Sequence, residues 1–152
     1  MSYSEWATDN YQGRQLGPVF VPEGKEILGV KVKEQAGAGI IDIKFRFRNQ
    51  DDEIQETGWI TNNDNETEER EIDFRGETMV GLELKEQAGY GIVDIRAILN
   101  GDKPLSEWAT NNPAQVTIKE TIIDKNSRVN GFEVMEQAGY GIVNLRLTYT
   151  DE

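Results

Sequence analysis

The sequence predicts an all-β chain of three sheets about a pseudo-threefold axis, four strands to a sheet. One observation is a segment written three times, as Lys33 to Lys44, Lys85 to Arg96 and Met135 to Arg146, in the second copy KEQAGYGIVDIR. Another is a shorter word, EWATDN from Glu5, GWITNN from Gly58 and EWATNN from Glu107, which fixes a repeat of about 50 residues. A third is strict alternation of apolar and polar residues on both sides of the glycines, with no segment of helical period.

The elements follow in order. After Trp6, the turn-rich Asp9 to Gly13 leads to a short strand at Val19-Phe20-Val21, bounded by Pro18 and Pro22. From Ile27, Val30 and Val32 face one way and Lys31 and Lys33 the other, as do Leu82 and Leu84 against Glu83 and Lys85, and Phe132 and Val134 against Glu133 and Met135. Beyond the glycines a second strand turns Ile41, Ile43, Phe45 and Phe47 inward, matched by Val93, Ile95, Ala97 and Leu99, then Val143, Leu145, Leu147 and Tyr149. The two strands of each copy form a hairpin. Further strands are expected at 69–74 and 116–119.

Charge argues the register. A two-residue Gly-X turn at Gly37-Ala38, Gly89-Tyr90 and Gly139-Tyr140 sets Lys33 opposite Asp42, Lys85 opposite Asp94 and Met135 opposite Asn144, so the third copy loses both charges together. The same register opposes Glu83 to Arg96 and Glu133 to Arg146. It also opposes Lys31 to Lys44, a like-charge pair that counts against it. Because the chain starts near Trp6 and ends near Tyr149, the first tryptophan segment is expected to complete the sheet of the third copy and tie the termini together. Residues 1–152 then make one domain.

The repeat resembles vitelline membrane outer layer protein I, in the order Gly-x-x-Val/Leu-x-x-Glu, a glycine segment, Asp/Asn-Ile/Leu-Arg/Lys and a tryptophan word. It is carried by Gly29 to Phe47 with Trp59, Gly81 to Leu99 with Trp108, and Gly131 to Tyr149 with Trp6. The resemblance implies a β-prism of three Greek-key sheets, the fold shared with jacalin-like lectins. It also implies an extracellular coat role with binding or transfer of amino-sugar oligosaccharides. This chain departs from that family in lacking cysteine and in its tight Gly-Tyr-Gly turns, so the fold is the expectation that carries over, and function does not follow from fold.

Composition narrows the function classes. Sixteen basic against 28 acidic residues give a net charge of −12, which opposes nucleic acid and anionic lipid as partners. With no cysteine and no histidine, thiol chemistry and the usual general base are excluded, and carboxylates are left for acid–base work. No stretch approaches a membrane span, and the start has no signal-peptide pattern. The compartment reads as cytoplasmic on that absence, or as extracellular if the resemblance carries and a signal was removed. Asn65-Glu66-Thr67 is a formal glycosylation sequon, relevant only in the second case.

Three groups of residues are candidates for function. Gln35, Gln87 and Gln137 sit beside the glycine turns, next to an aromatic ring in two copies, Tyr90 and Tyr140, a combination that suits sugars or that only satisfies a tight hairpin. Trp6, Trp59 and Trp108, with trailing polar residues such as Asn63 and Asn112, read as stacking platforms or as packed core and turn formers. Glu34, Glu86 and Glu136 share parity with the apolar face, which reads as three solvated strand ends, as a cup for a hard cation such as calcium, or as glycosidase-like carboxylates.

The leading function is a non-enzymatic, lectin-like carbohydrate-binding or extracellular coat protein with glycans or a glycosylated matrix as partner. The alternatives are an acidic scaffold that binds cations or mineral and self-associates, and, third, a glycan-modifying enzyme. No cofactor beyond calcium is implied.

Overall fold

The computed structural model describes residues 1–36, 39–63, 65, 67–88, 90–113, 116–138 and 140–151. Eleven strands follow in order: β1 Ser2–Tyr3, β2 Arg14–Phe20, β3 Glu26–Gln35, β4 Gly39–Arg48, β5 Ile54–Glu56, β6 Glu68–Asp73, β7 Thr78–Gln87, β8 Gly91–Asn100, β9 Thr117–Ile122, β10 Ser127–Gln137 and β11 Gly141–Asp151. They form three antiparallel sheets, ordered β1-β11-β10-β2, β5-β4-β3-β6 and β8-β7-β9. In the β5-β4-β3-β6 sheet the strand after a three-strand meander returns beside its first strand, the Greek-key order. The β1-β11-β10-β2 sheet reaches the same order only because the chain's start supplies β1 and β2 beside the last hairpin. The third sheet has three strands, not the four expected. The place of its fourth is taken by a single bridge between Ile98 and Leu105, because Pro104 cannot donate to a ladder there.

The register carries the charge pattern. Lys33 lies opposite Asp42, Lys85 opposite Asp94, Met135 opposite Asn144, Glu83 opposite Arg96 and Glu133 opposite Arg146. Closer to the turn it departs from the expectation, since a bulge follows Lys33, Lys85 and Met135 and brings Gln35 opposite Gly39, Gln87 opposite Gly91 and Gln137 opposite Gly141. Three positions, not two, then separate the paired ends. The expected Gly-X turns at Gly37-Ala38, Gly89-Tyr90 and Gly139-Tyr140 cannot be followed throughout, because Gly37, Ala38, Gly89 and Gly139 lie outside the described residues.

Lys31 faces Lys44 as the register requires, and a third group resolves the conflict. Glu56 on β5 places Oε2 2.8 Å from Lys31 Nζ and Oε1 2.6 Å from Lys44 Nζ. The hydrogen bond from Lys31, followed by that from Lys44, holds the Glu56 carboxyl below its ordinary 4.5, and the hydrogen bond to Glu56 lifts Lys31 above 10.5. Glu56→Gln should therefore cost about 1 kcal/mol at pH 7. The contribution of Glu56 is fully present above pH 4.5 and is lost as pH falls through its depressed folded-state value; that of Lys31 is full below pH 10.5 and fades as pH rises through its raised value. Urea midpoints of wild type and variant should converge at both extremes, and a constant gap from acid to alkaline pH would refute this assignment.

The core fills the space between the sheets. Phe45 on β4 and Phe132 on β10 meet there with ring centroids 4.4 Å apart, surrounded by Val30, Leu82, Ala97 and Leu147, all of them buried. The inner strands of the three hairpins close on one another in a ring. A Cβ on Gly39 would lie 2.7 Å from the Ile92 carbonyl oxygen, one on Gly91 2.9 Å from that of Ile142, and one on Gly141 2.8 Å from that of Ile40. All three glycines have φ near +90° (92, 88 and 87), so both the close approach and the backbone conformation demand glycine at these positions. This ring holds the ends of the three hairpins side by side around the axis.

Candidate functional site

The tryptophan words are organised by three buried side chains, Asp42, Asp94 and Asn144. Asp94 Oδ1 accepts from the Ile95 and Thr110 backbone N–H groups, and its Oδ2 from that of Asn112. Asp42 Oδ1 does the same for Ile43 and Thr61, and Asn144 Oδ1 for Leu145 and Thr8. The threonine hydroxyl of each word donates back to the inner strand, Thr8 to Val143, Thr61 to Ile41 and Thr110 to Val93. The Thr and Asn of each word thus fold the chain around a buried carboxylate or amide.

Each tryptophan is half-buried on the outer side of its sheet, covered by cations. Trp59 has Lys33 and Lys44 at 4.6 and 4.3 Å from its ring centroid, Trp108 has Lys85 and Arg96 at 4.5 and 4.2 Å, and Trp6 has Arg146 at 4.5 Å. They are neither fully packed core nor bare platforms.

Asn63 and Asn112 belong to the same local clamps. The backbone N–H of each donates to the hydroxyl oxygen of the word's own threonine, and the carbonyls of both accept from lysines, Lys33 and Lys85.

The three glutamates are held apart. Glu34 pairs with Arg70 on β6 at 3.3 Å and Glu136 with Arg14 on β2 at 2.7 Å, whereas Glu86, opposite Thr117 on β9, forms no ion pair among the described residues. Among the described residues no group of three or more acidic side chains is placed to hold a metal ion.

The hairpin ends of the second and third copies meet instead around a cleft of about 410 Å³. Gln87 and Tyr90 line one side, Gln137 and Tyr140 the other, with Gly91 and Val143 at the axis. The tyrosines are 42 % and 37 % exposed, held by Tyr90 N–H donating to Gln87 O and Tyr140 N–H to Gln137 O, both at 3.0 Å. Asn10 and Gln12 from the N-terminal loop, Glu86, and Thr117 at the start of β9 complete the walls. Gln137 Nε2 donates to Gln12 Oε1 at 3.3 Å. Of these, Gln12 and Thr117 carry no repeat signal that marks them, whereas Asn10 closes the first tryptophan word, as Asn63 and Asn112 close the others. Among the described residues, none from the first hairpin lines this cleft. That hairpin's Gln35 is engaged by Asn65 Nδ2 at 3.3 Å, and Ala38, which stands where the other copies have tyrosine, lies outside the described residues.

Solved structures of similar shape decide the fold. The chain superposes on the Calystegia sepium agglutinin with a TM-score of 0.66 at 13 % identity, covering 99 % of this chain and 97 % of that one. It superposes on Malaysian banana lectin at 0.59 and 18 %, covering 99 % of both. A mannose-binding jacalin-related lectin from Ananas comosus gives 0.56 and 12 %, covering 98 % of this chain and 99 % of that one. The fold is a β-prism.

At these identities the likeness is one of architecture. No family model matches the chain. No curated protein matches it either. The matches therefore support the jacalin-like side of the resemblance, and membership of the vitelline membrane outer layer family is not shown.

Proposed function

We propose that the protein is a non-catalytic, carbohydrate-binding module that takes one glycan per chain in the cleft between the Gln87–Tyr90 and Gln137–Tyr140 hairpin ends. The observation that carries this is the convergence of two exposed tyrosine rings and two glutamine amides on one concave surface. A pyranose has apolar C–H faces that stack on aromatic rings, and hydroxyls that both donate and accept, as do the side chains of Gln87, Gln137, Asn10 and Thr117. Several β-prisms of similar shape are lectins, and Calsepa was solved in complex with a biantennary N-glycan. The first copy, with alanine in place of tyrosine and its glutamine engaged, adds no equivalent site, so the chain is monovalent.

A glycan array run with and without calcium identifies the sugar class, and titration calorimetry then gives a stoichiometry of one. Tyr90→Ala and Tyr140→Ala should each weaken binding about tenfold, the equivalent of one lost stacking contact. Gln35→Ala should leave it unchanged. Far-UV circular dichroism checks that the sheets survive. Undiminished binding by the double tyrosine variant, or a blank array in both conditions, would refute the reading.

A further inference from the structure

The opposite end of the prism, about 30 Å away along the ten-residue strands β3 and β7, carries a second concave feature. There β3, β7 and β10 begin, and between them opens a pocket of about 260 Å³ on the pseudo-threefold axis. Its floor is Ile27, Met79 and Val129, the same position in the three copies and buried in each. Its rim is Lys25, Glu26, Thr78 and Arg128. A wider cleft of about 800 Å³ shares Lys25, Arg128 and Val129 and extends outward to Phe20.

We propose that this axial pocket binds a small monocarboxylate with a short alkyl or aryl body. The apolar floor sets the body, since an apolar cavity of about 150 Å³ already accepts benzene. The rim sets the charge. Lys25 and Arg128 are both half-buried, and neither forms an ion pair among the described residues, in a chain whose net charge is −12 and whose sheet-face cations Lys31, Lys44, Arg46, Arg96 and Arg146 are all paired. Glu26 stands on the same rim, and Glu23 and Asp151 on the wider cleft, but all three are exposed to water and make no ion pair with either cation among the described residues. A guanidinium fork and an ammonium on one rim supply complementary donors for the two oxygens of a carboxylate.

The chain has three methionines, Met1, Met79 and Met135, so methyl-labelled methionine reports on the pocket directly. Benzoate should shift the Met79 methyl resonance saturably and leave Met135 unmoved, while benzylamine and benzyl alcohol should not reproduce the shift. Lys25→Gln and Arg128→Gln should each weaken benzoate about tenfold, one charge-assisted contact apiece. The Tyr90→Ala/Tyr140→Ala variant should respond like wild type. No saturable shift up to the solubility of benzoate, an equal shift from either uncharged or cationic analogue, or loss of the shift in the tyrosine variant would each overturn the proposal. Should a cation variant fail to fold, the three-ligand comparison on the wild-type chain decides alone.

Discussion

Replacing Phe132 by alanine should lower stability by about 3–5 kcal/mol, the range for a buried aromatic removed from a close-packed core. Phe132 is fully buried and packs on Phe45 across two sheets at 4.4 Å between ring centroids. The surrounding layer cannot collapse onto the void. The equivalent positions in the other copies are Val30 and Leu82, and the inner-strand positions beside them are Phe45, Ala97 and Leu147, so large residues in one copy compensate small ones in another. The measurement is a urea titration, with a lower midpoint at an unchanged slope. With a loss of this size, thermal unfolding should move down by roughly 10 °C for a chain of this length. A midpoint within error of wild type would show that the three sheets do not share this core layer.

Asp94→Ala is expected to be nearly as severe, at about 3–5 kcal/mol, because a fully buried carboxylate accepts three backbone N–H groups and its removal orphans them. Lys85, whose Nζ lies 4.0 Å from Asp94 Oδ2, would also lose its counter-charge while remaining beside Trp108. The third copy points to the milder route. There Asn144 keeps the Oδ1 acceptor, turns its other atom into a donor to the Thr8 and Asn10 carbonyls, and faces Met135 where the second copy has a lysine. Asp94→Asn should therefore cost less than Asp94→Ala. The pair Lys85→Met with Asp94→Asn should cost about 1 kcal/mol less than the sum of its parts. Strict additivity would mean that lysine and carboxylate are not coupled. An Asp94→Ala variant within about 0.5 kcal/mol of wild type, as for an ordinary surface change, would mean that the tryptophan word folds without its clamp.

Much of the architecture could be read from short-range pattern. Lys33 with Asp42 and Glu83 with Arg96 are legible because alternation fixes which residues share a sheet face, and opposite charges then select one register among few. The pairing of Lys31 with Lys44 argued against that register only because Glu56, which bridges them, comes from a strand that pattern alone does not place there. The bulge after Lys33, Lys85 and Met135 escaped for a similar reason. It accommodates the glycine ring, whose contacts run between copies about 50 residues apart. The surroundings of the glutamates next to it are set by the outer strands, which pair arginine with Glu34 and Glu136 and leave Glu86 without an ion pair among the described residues.

By itself the sequence determined the long paired strands of the three hairpins, their register as far as the bulge, and the joining of the termini in one sheet. These follow from alternation, glycine placement and a repeat that cannot bury its apolar faces alone. Only the tertiary structure decided which candidate residues lie together. Tyr90 and Tyr140 share one cleft, Asn10 and Gln12 reach it from the far end of the chain, and Gln35 does not. The axial pocket likewise exists only where three strand starts converge. The physical reason is that periodicity encodes the burial of each strand locally, whereas a site is made from side chains that differ between copies and meet only after the three sheets have closed.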